Sequence, residues 1–249
     1  MAKLPGSGRT GSAADVGASP PAREVAPEEG VAEAIAGETG SLSEQVYQEL
    51  RRRLLTGRIT PGTTLSSRGL AQELAVSPMP VREAVGRLVA ERALEVHSKR
   101  HISVPAMTRD RFQDLLRCRL LLEPEAARLA LPEIDRARQR LLAEIDERIG
   151  EALVSGDAQA YMQGNFDFHF TVYAARDQAT LLQLIETLWL QFGPFMRVVY
   201  GRVGTSSLID RHEQALAAIA ANDADALAHA IHSDIAEGMG LIGLTGLEA

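Results

Sequence analysis

Between residues 66 and 104 the chain reads SSRGLAQELAVSPMPVREAVGRLVAERALEVHSKRHISV, and its punctuation leaves few folds open. Ser66 or Ser67 can cap a short helix carrying Leu70, Ala71 and Leu74. Only Ala75 and Val76 separate it from Ser77, placed to cap a second helix with Pro78 at its first position, where an N–H has no helical partner to lose. Val81, Ala84, Val85 and Leu88 recur along that helix at a spacing that buries one side. LEV and ISV then read as two short strands around the basic tip HSKRH. Upstream, SLSE pairs Ser41 with Glu44 as a capping box. Val46, Leu50 and Leu54 form one apolar face until Gly57 stops the helix, and RITPGTTL is an extended link with a Pro-Gly turn. A bracing helix, two helices joined by a tight turn and a basic hairpin make a winged helix-turn-helix over residues 41–106.

Charge is unevenly spread along the chain. Formal balances are −3 for residues 1–41, +4 for 42–105 and −8 for 106–249, within an overall −7. A small basic unit attached to a larger acidic one is expected when only one part meets a polyanion. The helix from Ser77 is placed to enter a major groove of double-stranded DNA, with the hairpin on backbone or minor groove. Arg68, Arg82, Arg87, Lys99 and Arg100 are the candidate phosphate and base contacts, because guanidinium forks suit both phosphate oxygens and guanine edges. Ser77 and Met79 at the helix start, with His97 and His101 at the hairpin, complete the candidate DNA-binding set. A protein-docking scaffold with solvated arginines is the competing reading, and it predicts no salt-sensitive DNA affinity.

At 249 residues the chain has room for two domains. Residues 1–40 are rich in Ala, Gly, Pro and Glu and poor in large apolar groups, so a disordered tail is expected there. The N-terminus lacks a signal-peptide core, and no apolar run reaches the roughly 18–20 residues that span a bilayer, so no membrane partner is expected. Cys118 is the only cysteine, which excludes an internal disulfide and points to a reducing cytoplasm. Its helical setting argues against thiol catalysis.

From about residue 108 the sequence is helical throughout, with segments expected at 108–129, 132–154, 157–175, 179–202, 206–221 and 224–242. Amphipathic helices in this number make a bundle over 107–243, followed by a short C-terminal tail at 244–249, so the fold class is mostly α. Polar residues interrupt the inward faces. Asn165 and His169 stand one turn apart among Tyr161, Phe168 and Val172; His212 lies with Ile209, Leu216 and Ile219; Asp234 lies with Leu227, Ile231 and Ile235. His212 and Asp234 are each eleven residues from Asp223 at the turn between the last two helices. In an antiparallel pair, residues equidistant from the turn come side by side, whereas His232 lies about 200° around the helix from Asp234. Asn165, His169, His212 and Asp234 could hold a divalent metal such as Zn, Ni or Mn, or form a metal-free hydrogen-bond network. Arg119 also faces inward, with Leu115, Leu122 and Ala126, and needs an anion. Glu123 and an effector carboxylate are the two candidates. Arg197 and Tyr200, near Pro194, are weaker effector-binding candidates.

The stretch LSSRGLAQELAVSPMPVREAVGRLVAERALEV resembles the DNA-binding domain of GntR bacterial transcription regulators, PVREAVGRL being its most specific part. The resemblance puts the family's habitual arginines on Arg68 and Arg82. Pro78 and Met79 stand where the family usually has Arg and Thr, and His101 where the wing turn often has glycine. CRLLLEPEAARLAL, NFDFHF and RHEQALAAIAANDADALAHAIHSDI resemble the FCD ligand-binding domain of FadR-type members. Many such domains bind a metal through an Asp, a His four later and two further His. Carried over by position, these are Asn165, His169, His212 and Asp234, so the first carboxylate has become an amide and the last imidazole a carboxylate.

The resemblance implies a homodimeric repressor that binds a near-palindromic operator and answers a small-molecule effector, often an organic acid. A metal-dependent hydrolase with a DNA-binding appendage is the alternative from another class. It lacks a placed base: Glu213 adjoins His212 but lies about 100° around the helix, and no HExxH is present.

Overall fold

The computed structural model describes residues 40–98, 101–203 and 211–245, with side chains over 40–98, 101–197 and 211–240. The tail predicted for 1–40 lies outside the described residues up to residue 39, as do Lys99, Arg100, Ile209, the side chain of Tyr200 and residues 246–249.

The first unit opens with α1 (Leu42–Leu55), whose Ser41 cap accepts a bond from the Glu44 N–H at 3.3 Å. The Glu44 carboxylate accepts from Gln48 Nε2 at 2.7 Å and also pairs with Arg87, so it ties α1 to a neighbouring helix. Ser66, rather than Ser67, caps α2 (Ser67–Glu73) by accepting from Gly69 N at 3.0 Å. Ser77 occupies the cap position of α3 (Pro78–Ala90), but its side chain makes no capping bond, contrary to the expectation from sequence. Pro80 stands at the third helical position and has removed the N–H that such a cap would engage.

Strands β1 (Glu95–Ser98) and β2 (His101–Ser103) pair antiparallel, Glu95 opposite Ser103 and Val96 opposite Ile102, with an irregularity before Ser98. Leu65 adds a third edge through reciprocal backbone bonds with Ile102 of 2.8 and 2.9 Å. Val46, Leu50, Leu54, Leu70, Val81, Leu88 and Ile102 fill the space between these elements, all 2 % exposed or less. This is the winged helix-turn-helix expected from the sequence.

Among the described residues, the elements of the second unit are helices: α4 (Arg109–Ala130), α5 (Arg136–Ser155), α6 (Ala158–Tyr173), α7 (Ala179–Val203), α8 (His212–Ala220) and α9 (Ala224–Thr245). Thr108, Asp135 and Asp157 cap the first three through bonds to backbone N–H groups. Two starts differ from the sequence reading. Pro132 sits in a single 3₁₀ turn (Leu131–Glu133), and Asp135 takes over as the cap, so α5 begins at Arg136 instead of 132. Helix α8 begins at His212 and not at 206; of its predicted first turns, residues 206–210 are outside the described residues.

Helix α4 packs on α9 and α7, α5 on α6, and α8 on α9, while α7 also packs on α1 of the winged unit. That last junction is close. A Cβ placed on Gly193 would stand 2.7 and 2.8 Å from the carbonyl oxygens of Leu54 and Leu55, so only glycine admits this approach. Arg51 and Glu186 pair across the same junction at 2.6 Å. One apolar core therefore runs through both units.

Candidate DNA-contacting face and buried sensor cluster

On the winged unit, Arg68 near the start of α2 and Arg82 on α3 are exposed, and so are Ser77 and Met79 at the start of α3. His97 and His101 face water at the hairpin, their ring centroids 4.7 Å apart, and His97 Nε2 lies 3.0 Å from Glu95 Oε1. Arg87 behaves differently from Arg82. Its guanidinium lies 3.6 Å over the Tyr47 ring and pairs with Glu44, an arrangement that holds the Glu44 carboxyl below its ordinary range. Tyr47 in turn donates to Glu91 at 2.7 Å. Burial, followed by that hydrogen bond, pushes the Tyr47 hydroxyl up to about 12. Arg87 is therefore engaged in bracing α1 against α3.

In the helical unit the inward polar residues converge. Ligand-capable atoms of His169 (α6), His212 (α8) and Asp234 (α9) all lie within 4.8 Å of one another. His169 Nε2 is 3.1 Å from Asp234 Oδ2. His212 is buried, stacked on Phe168 with ring centroids 4.0 Å apart, and its Nδ1 is 3.7 Å from Asp146 Oδ1 on α5. Asn165 is buried one turn before His169 on α6. Glu213 and His232 are exposed, as their helical angles require.

A second set of groups stands behind His169. Arg119 donates from Nε to Glu123 Oε1 at 2.5 Å and from Nη2 to Oε2 at 3.3 Å, both residues being buried. Trp189 Nε1 and the Tyr173 hydroxyl also donate to Glu123 Oε2, at 3.0 and 2.9 Å. Of the two anions open to Arg119, the structure supplies Glu123. The Arg119 guanidinium also lies 4.5 Å over the Trp189 ring. Asp146, Tyr173 and Trp189 were not anticipated from the sequence. Tyr173 carried a signal, four residues after His169 on the same face; Trp189 and Asp146 come from other helices and carried none.

This network assigns protons. The single hydroxyl hydrogen of Tyr173 goes to Glu123, so its oxygen must accept from His169 Nδ1, 2.8 Å away. Neutral His169 then turns the lone pair of Nε2 toward Asp234 Oδ2, and two acceptors face each other at 3.1 Å. Either a proton on Nε2 or a cation among the three side chains relieves that opposition. Burial pushes the Asp234 carboxyl up, but the His169 contact and the fields of His212 and His169 outweigh it and hold it below its ordinary value. Two imidazoles, a carboxylate and a neighbouring amide fit a divalent cation of intermediate hardness. Donors about 2.0–2.3 Å from such an ion lie within about 4.6 Å of each other, so the cluster needs little closure.

Arg197 does not join this cluster. It donates to Gln159 Oε1 at 2.7 Å, and its side chain lies against Gly57, where an added Cβ would stand 2.6 Å from Arg197 Cβ. It thus belongs to the junction with the winged unit.

Comparison with known proteins matches both units. The model for bacterial regulatory proteins of the gntR family matches residues 42–104, and the FCD domain model matches 114–237. The chain is 30% identical over 194 residues to the HTH-type transcriptional regulator McbR of Escherichia coli (strain K12), a match covering 77% of this chain and 88% of that protein. It is 26% identical over 201 residues to the gluconate operon transcriptional repressor of Bacillus subtilis (strain 168), covering 76% and 80%. The solved structure of E. coli McbR/YncC superposes with a TM-score of 0.78 at 28% identity, over 82% of this chain and 98% of that one.

Proposed function

This chain belongs to the gntR family of bacterial regulatory proteins and carries an FCD effector-binding domain, and from that premise we propose that it is a cytoplasmic, homodimeric repressor whose operator affinity answers a small organic acid and a divalent metal. It is a transcription regulator and not an enzyme, as its family and relatives are. Two copies of the 41–106 unit would read the half-sites of a near-palindrome, with α3 in the major groove. Arg68 and Arg82 would make the principal contacts, with Ser77, Met79, His97, Lys99, Arg100 and His101 around them. Arg87 would contribute chiefly by steadying α3. The buried unit over 107–243 would hold the metal through His169, His212, Asp234 and the Asn165 oxygen. Such an ion would supply a positive centre for an acidic effector, with Tyr200 as a further effector contact, Arg119 held by Glu123 behind the cluster and Arg197 in a supporting place at the junction.

The observation that carries this reading is the path of α7. Trp189 on α7 is bonded to Glu123 inside the cluster, and Gly193, one turn later, is seated on the last carbonyls of α1. A change at the cluster therefore has a rigid element through which to shift the winged unit, and effector binding needs only a differential affinity for two such positions. No helix among the described residues is long and apolar enough to cross a bilayer.

Selection from a random pool of duplexes by the full chain tests the reader. A near-palindrome should be enriched, and failure to enrich any sequence would refute the operator reading. Elemental analysis of the purified chain beside His169→Ala and His212→Ala tests the cluster: the native chain should retain metal that both variants lose, and equal content in all three would sink the site.

A further inference from the structure

A cleft of about 460 Å³ lies between the two units, within the usual size range of small-molecule sites. Its walls come from the end of α3, strand β1, the linker before α4, the first turns of α4, and α7. Val89 and Val96 line the cleft while remaining 37% and 51% exposed, together with the buried Leu115. Arg92 and Arg111 line it as well.

Arg111 is half-buried and, like Arg138 and Arg197, donates to neutral oxygens. Nη1 donates to the Ala106 carbonyl at 3.2 Å, and Nη2 to the Arg92 carbonyl at 3.0 Å and to Gln191 Oε1 at 3.2 Å. All three acceptors are neutral. Arg51, Arg53, Arg87, Arg119, Arg128 and Arg211 each pair with a carboxylate, and Arg111 has none within ion-pair distance among the described residues. A partly desolvated positive charge held only by neutral oxygens is left able to gain from an anion. Burial, with the neighbouring Arg92, brings the Arg111 guanidinium below its ordinary value against the opposing field of Glu95. Glu95, also in the lining, is engaged with Ser103 Oγ at 3.2 Å and with His97.

We propose that this cleft is a second ligand site, separate from the His169–His212–Asp234 cluster, for a small organic acid bearing one negative charge. Its carboxylate sits on Arg111 and Arg92, and its apolar part covers Val89, Val96 and Leu115. The exposed carboxylate of Asp114 at the same lining sets the charge limit, because a second negative group on the ligand would meet it. A ligand held here touches the end of the groove-reading helix, the wing and two sensor helices together. By linkage it favours whichever arrangement of the two units closes the cleft, and DNA binding responds to that choice.

Calorimetric titration of the full chain with hexanoate, hexanamide and adipate tests the site. Hexanoate should bind the native chain at millimolar concentration, with the neutral amide and the dianion weaker by about tenfold. Arg111→Met, Arg92→Asn and Val96→Asp should each weaken hexanoate several-fold; the latter two sit at exposed positions, and asparagine tolerates the left-handed backbone of residue 92, φ +59°. Hexanoate held at the cleft should remain in His169→Ala and in His212→Ala, because neither side chain lines it, whereas any hexanoate held at the sensor cluster would be lost. Absence of hexanoate binding, equal binding of the amide or adipate, or undiminished binding in Arg92→Asn and Val96→Asp would each overturn the proposal. So would loss of binding in His169→Ala and His212→Ala, which would move the ligand into the sensor cluster. The regulator reading stands or falls by duplex selection, independently of these outcomes.

Discussion

The winged unit and the helical unit contain similar polar side chains but put them in opposite surroundings. In the first, Arg68 and Arg82 stand in water on short helices, where a charge contributes little to folding and is free to meet a phosphate. In the second, Arg119, Glu123, His169 and His212 are each at most 3 % exposed, held by one another and by Tyr173 and Trp189. A buried arginine with its carboxylate is a poor source of net stability but a strict constraint, because removing either partner strands the other. The contrast teaches that the same chemistry serves contact in one unit and arrangement in the other.

Substitutions should separate these roles. Glu123→Ala leaves Arg119 buried without its anion and takes the acceptor from Tyr173 and Trp189. Urea unfolding should report a loss of about 3–5 kcal/mol, whereas Arg82→Ala should stay within about 0.5 kcal/mol of the native chain. On DNA the order reverses for Arg82→Ala, which should weaken operator binding by roughly 1–3 kcal/mol in a gel-shift titration if it reads a base edge.

At the junction between the units, Gly193→Ala forces a methyl group onto two backbone carbonyls that have nowhere to rotate. A destabilisation of about 1–3 kcal/mol is expected from overpacking, and unchanged stability would mean that α1 and α7 are less firmly joined than their contact distances indicate.

The smallest effects are those of pH, and they fall on different units. Asp234 has a folded value held below its ordinary 3.8, so its contribution is present above that pH and is lost as pH falls below it. Tyr47 is raised from 10.0 to about 12, so its contribution is full below pH 10 and is lost as pH rises toward 12. Asp234→Asn should flatten the acid limb of a stability profile, and Tyr47→Phe the alkaline limb.

How far the sequence was legible follows the same division. The winged unit is built from local signals: a serine cap at 66 or 67, Pro78 at a helix start and paired apolar runs around a basic tip. These act over a few residues, so the pattern and the structure agree closely. Local reading missed that Pro80 deprives Ser77 of its capping bond, and it missed one tertiary pairing. Arg87 looks like Arg82 along the chain, and only the placement of Glu44 and Tyr47 on α1 draws it across to that helix. In the helical unit, helical spacing and the equal distances of His212 and Asp234 from Asp223 were enough to foresee that they share a site. Spacing could not foresee that Asp234 would lie directly against His169, or that Trp189 from a fourth helix would share the Glu123 carboxylate. Those partnerships depend on how helices cross, and crossing is set by packing rather than by period.

Salt dependence of operator affinity tests the central claim most directly, since it counts the phosphates that the exposed arginines neutralise. The logarithm of affinity should fall linearly with the logarithm of salt, at a slope of about −0.9 per phosphate contact. If Arg68 and Arg82 each hold a phosphate, replacing either with Ala should make that slope shallower by about one unit. An affinity indifferent to salt would contradict a cationic winged surface seated on duplex DNA.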